Sequence, residues 1–152
     1  MNALTVQGRI EIVATDVHTG KVDIYQHNNL ITNNGLTNFV DTFTGNGGAS
    51  PNYFQFGTST IAPGVADTKL VEPNDASWKG ITVKSRYSLV ISSFEATYTT
   101  TELIGTWREL GLWCGGAGAG SGTLVARAVI ADFRKSNAQT VTVSWRVQFG
   151  RA

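Results

Sequence analysis

The chain has 152 residues, a length expected for one domain built on one core. Its formal net charge is +1 and charged residues make up 15%, below the roughly 25% of an average soluble domain. That balance argues against nucleic-acid binding, which needs clustered Lys and Arg, and no apolar run approaches the roughly 20 residues of a membrane span.

The start, MNALTVQGRI, lacks a basic region followed by an apolar stretch, so no secretory signal is expected and synthesis in a cytoplasm follows. Cys114 is the single cysteine, so an internal disulfide and a cysteine metal site are both excluded. Stability must come from packing or from partners.

Leu4, Val6, Ile10 and Ile12 share one face of a first strand, with Gly8 marking an expected bulge. The segment DVHTGK over 16–21 is turn chemistry, with Gly20 suited to a positive φ. A second strand follows over 22–27. Leu36, Phe39, Val40 and Phe43 then stand at i, i+3, i+4 and i+7, which predicts a short helix over 34–43. Thr32 or Asn33 is placed to cap it. A short strand is expected over 53–56. Residues 58–74 hold Pro63, Gly64 and Pro73 with little periodicity, which reads as a long ordered loop or arm. Long strands are expected over 78–91 and 94–101, with Ser92 and Ser93 at the corner, and another over 104–113.

The clearest pattern is at the end. Val141, Val143, Trp145, Val147 and Phe149 alternate with Thr140, Thr142, Ser144, Arg146 and Gln148, the mark of a strand with one buried face. Leu124 to Ala131 is apolar on both faces, as in a central strand, with Arg127 reaching an edge or a partner. Residues 134–137 read as the turn that pairs these two strands in a hairpin. The total is about eight strands and one short helix, an all-β chain whose turn spacing suggests an antiparallel sandwich over residues 1–152, jelly-roll-like in shape.

No chemistry stands out. The glycines at 115, 116, 118, 120 and 122 lack the Lys-Ser/Thr pair, the spacing and the following helix of a phosphate loop. His18 and His27 have no acidic residue at ligand spacing, so no metal or other cofactor is expected. A nucleophile site has no motif, and Cys114 has no evident base. Glu102 and Glu109 could form a carboxylate pair, but each is more simply a solvated or salt-bridged side chain, with Arg127 or Arg146 in reach of Glu109. Trp145 reads as core. The expectation is a non-enzyme whose candidate interface residues are Trp78, Trp107, Trp113 and Arg127, since aromatic and Arg side chains anchor interfaces.

Five stretches carry a family resemblance. LITNNGL over 30–36, FGTSTIAPGVADTKL over 56–70, ELGLW over 109–113, LVARA over 124–128 and VTVSWRVQF over 141–149 resemble a recurring pattern of small tailed-bacteriophage structural proteins. The resemblance spans most of the chain and implies a virion component. It implies a capsid decoration (cement) protein, as a homotrimer on the major capsid protein, or a tail or baseplate/fibre adaptor bound to tail subunits. A carbohydrate-binding module is a third expectation, should two tryptophans stand exposed on one flat face. The glycine run over 115–122 is longer than in the family pattern.

Overall fold

The computed structural model describes residues 4–116 and 121–151. Period-two patterning becomes long strands. β1 (Leu4–Asp16) and β2 (Val22–Ile31) form a hairpin in which Gly8 pairs with Asn29 and Thr15 with Val22. Its turn is closed by Asp16, whose Oδ1 accepts the N–H groups of His18 and Thr19, both at 2.9 Å, and Gly20 takes φ 71°. Gly8 is not a bulge: the β1 register is unbroken. The Asn29 carboxamide lies over it, and a Cβ there, 1.8 Å from Asn29 Oδ1, would have to displace that side chain.

Helix α1 (Asn33–Thr44) starts where expected, with Thr32 Oγ1 accepting the Gly35 N–H at 3.0 Å, and stops at Gly45, whose φ is 73°. Only part of its apolar stripe is used. Phe39 and Phe43 both meet Phe149 edge-to-face, while Leu36 and Val40 remain exposed and Phe43 is still 72% exposed.

The remaining strands are β3 (Pro51–Gly57), β4 (Lys79–Gly80), β5 (Val83–Arg86), β6 (Ile91–Tyr98), β7 (Gly105–Gly115), β8 (Gly122–Lys135) and β9 (Gln139–Arg151). All ladders are antiparallel, in one sheet of order β4-β3-β7-β8-β2-β1-β9-β6-β5. The protein is therefore all-β with one short helix. Only Leu30↔Arg127 and Ile31↔Ala126 join β2 to β8. There the sheet curls, and its two halves face each other across the core. Trp145 of β9 stacks on Phe54 of β3, with ring planes 13° apart, and Phe56 of β3 meets Tyr98 of β6 edge-on. Fully burying one such side chain contributes about 1.5–3 kcal/mol.

Three further expectations are corrected. β8 and β9 do not form a hairpin: β8 pairs with β7 and β2, and β9 with β1 and β6. Arg134 and Lys135 belong to β8, and the turn after them carries the chain from one half of the sheet to the other. The expected strand over 78–91 is broken into β4 and β5. Ser92 and Ser93 are not a corner but ladder residues of β6, paired with Val147 and Arg146. The corner lies just before them, where the N–H groups of Tyr87 and Ser88 both donate to the Ile91 carbonyl.

Candidate functional site

β8 carries a bulge at Val125, because Leu112 pairs with Ala126 while Trp113 pairs with Leu124. The extra residue turns Val125 and Ala126 both toward the core and puts Leu124 and Arg127 on the outer face of β7 and β8. Residues 58–74 run across that outer face as a strap. Leu70 of the strap packs on Trp113 and Leu124, and Gly111 leaves room for it: a Cβ at Gly111 would lie 2.9 Å from Leu70 Cδ2.

Arg127 holds the strap down. Its guanidinium is fully buried. Nε donates to Glu109 Oε2 at 2.9 Å, Nη1 to Asp67 Oδ2 at 3.0 Å and to the Ala62 carbonyl at 3.3 Å, and Nη2 to the Ile61 carbonyl at 2.8 Å. Glu109, also fully buried, accepts the backbone N–H groups of Val71 at 3.1 Å and Glu72 at 2.7 Å. Asp67 accepts the Gly64 N–H at 2.8 Å. Two carboxylates face one guanidinium, and three backbone N–H groups satisfy the excess negative charge. A buried charge persists only when it is paired and hydrogen-bonded in this way. Gly57 completes the fit, since a Cβ there would stand 2.4 Å from Glu109 Oε1.

The helix start joins the same node. Thr32 is buried and donates Oγ1–H toward the Leu124 carbonyl at 2.6 Å. Its own N–H donates to the Val125 carbonyl at 3.0 Å, and the Asn33 N–H to the Val65 carbonyl of the strap at 2.7 Å. Stretches 30–36, 56–70, 109–113 and 124–128, separate in sequence, thus meet around Arg127.

The tryptophans are mostly interior. Trp107 is buried and donates Nε1–H to the Leu103 carbonyl at 2.9 Å. Trp145 is fully buried. Trp113 is buried against Leu70 and Leu124, with the half-buried Trp78 at 5.1 Å between ring centroids. Among the candidate interface residues, Trp107, Trp113 and Arg127 are thus spent on contacts within the chain, and Trp78 alone keeps partial exposure.

The other candidates stay apart. Glu102 forms an ion pair with Lys79 at 2.7 Å. That bond, with the Thr99 N–H, holds its carboxyl below the usual carboxylate range. Burial lowers the His27 pKa, and His18 lies in the exposed β1–β2 turn. Cys114 is buried beside the Asn38 amide, and burial pushes its thiol up to about 12, away from the thiolate a nucleophile needs. Among the described residues no group of three or more His, Cys, Asp or Glu could hold a metal ion. The glycine run falls partly on residues 117–120, outside the described residues.

Asp67 was the missed member of the node. Its only sequence signal is its place in APGVADTKL, a polar side chain in an irregular segment with nothing to say which strand it faces. Comparison with protein-family models, curated proteins and solved structures finds no significant match to this chain.

Proposed function

We propose that the chain is a structural protein of a tailed-bacteriophage virion, acting as a capsid decoration (cement) protein that binds the capsid lattice as a homo-oligomer. One observation carries the reading. Four of the five stretches on which the resemblance rests converge on a closed latch around Arg127, whose charges are satisfied internally. Residues held together in this way serve shape, which is what a lattice-binding component must keep. The outer surface supports the same reading, with apolar side chains at Phe43, Val40 and Ile61 and at Leu89, the last 90% exposed. Strand edges are also open at both ends of the sheet, on β4 and β5. Residues 4–7 of β1 pair with β9 but, on the other side, not with β2, whose ladder ends at Gly8. An added strand from a neighbouring subunit would bind such an edge through main-chain hydrogen bonds. Many weak copies on a symmetric lattice gain from effective concentration.

The test is copy number per particle, by quantitative gel densitometry against the major capsid protein. On the order of hundreds of copies supports decoration. About six, twelve or eighteen copies would replace it with a tail or baseplate/fibre adaptor, following the symmetry of that organelle. Absence from purified particles would overturn both.

A further inference from the structure

The outer face of the β1–β9 ladder sets two arginines opposite each other. Arg9 is the register partner of Arg146. Like charges directly opposite in a ladder are unfavourable, and neither forms an ion pair with an acidic side chain of the described residues. The acids one row along this face are already engaged. Glu11 accepts from Gln26 Nε2 at 2.8 Å, and Glu95 accepts from Ser93 Oγ at 3.3 Å. Arg9 donates Nη2–H to Gln26 Oε1. Arg146 is held by the Tyr87 ring, its guanidinium carbon 4.1 Å from the centroid, and its Nε is buried with no hydrogen-bond partner. Both arginines line one open depression of about 410 Å³, together with Gln7, Asn28, Gln148 and Tyr87.

We propose that this depression binds an acidic saccharide through its carboxylate. Two guanidinium forks suit a planar oxyanion, which would neutralise the opposed charges. The three carboxamides offer both donors and acceptors, the pairing that sugar hydroxyls use. A bare inorganic anion would use the arginines and leave the carboxamides unengaged. The volume falls within the range of about 300–1,000 Å³ typical of small-ligand sites. With a net charge of +1 the chain lacks the clustered basic surface that a nucleic-acid backbone needs, so one discrete anion fits better. The site uses no residue of the Arg127 node and none of the tryptophans.

The test is calorimetric titration of the full chain at low salt with three probes. These are a tetrasaccharide containing glucuronic acid, its carboxyl-reduced neutral counterpart, and inorganic phosphate. Saturable binding of the acidic tetrasaccharide alone is expected, weakened roughly tenfold to hundredfold by Arg9→Gln and by Arg146→Gln, the usual effect of losing a charge-assisted hydrogen bond. Arg108→Gln, at a surface ion pair elsewhere, leaves it unchanged. Arg9→Gln also relieves the like-charge opposition, so the ligand-free variant should melt no lower than the parent, and this separates lost binding from lost folding. Equal binding of the neutral sugar, equal binding of phosphate, no binding of any probe, or full binding by Arg146→Gln would each overturn the proposal.

Discussion

Arg127 on β8 and Glu109 on β7 meet at 2.9 Å, and neither side chain reaches solvent. The pair ties the strap to the sheet, because Arg127 also binds the carbonyls of Ile61 and Ala62 and Glu109 holds the N–H groups of Val71 and Glu72. Removing Arg127 leaves the Glu109 charge buried without a cation, which costs about 3–5 kcal/mol. Arg127→Met should therefore lower the melting temperature by roughly 10 °C for a chain of this size. Arg127→Met with Glu109→Gln should cost less than the sum of the two, since Arg127→Met strands the Glu109 charge that Glu109→Gln removes. Additive losses in chemical denaturation would show that the two side chains act independently.

Gly35 lies against the Val125 bulge, where an added Cβ would stand 2.1 Å from the Val125 carbonyl oxygen. Alanine is the better helix former by about 0.8–1 kcal/mol, so propensity alone makes Gly35→Ala stabilising. Contact predicts the reverse, because backbone atoms cannot yield as a flexible side chain can. Urea denaturation should find the variant less stable than the parent, while Asn46→Ala, just past the helix end, changes little. A gain in stability at Gly35→Ala would mean that α1 does not dock this closely.

Glu102 sets a pH dependence. Its carboxyl is depressed by the Lys79 ammonium and the Thr99 N–H. A depressed folded pKa adds stability above the ordinary glutamate value of about 4.3, and that stability is lost as pH falls through the lower folded value. Its side chain is 39% exposed, so the contribution at neutral pH is small. Glu102→Gln should flatten the loss of stability below the ordinary glutamate pKa, measured as melting temperature against pH. An unchanged acid limb would remove Glu102 from the account.

Cys114 should be inert in the folded protein. Burial pushes the thiol up to about 12, so almost no thiolate exists near neutral pH and the sulfur is shielded. Ellman's reagent should react within minutes in denaturant and only through unfolding in its absence. Rapid native labelling would contradict the burial.

Some of this architecture is local and therefore visible in the chain itself. The alternation from Val141 to Phe149 makes one face apolar, and β9 buries that face from Val141 to Val147. The Asp16 turn and the Thr32 cap use hydrogen bonds that span three residues, so a window of a few residues contains both partners. The apolar character of Leu124 to Ala131 on both faces announced a covered central strand, and β8 is covered by core on one side and strap on the other.

Pairing was decided elsewhere. A polar turn after Lys135 suits a hairpin and a crossing between sheet halves equally well, and only the positions of β1 and β6 on either side of β9 select the crossing. The strap shows the same division. Its sequence marks an irregular segment, while its place depends on Asp67, Glu109 and Arg127, separated by 42 and 18 residues. The opposition of Arg9 and Arg146 is likewise a property of register across 137 residues, with no local signal in either strand. Periodicity, capping and turn chemistry are short-range, so the sequence alone determined the helix and its cap, the Asp16 turn and the buried face of β9. Charge pairing and strand order are long-range, and only the tertiary structure decided them.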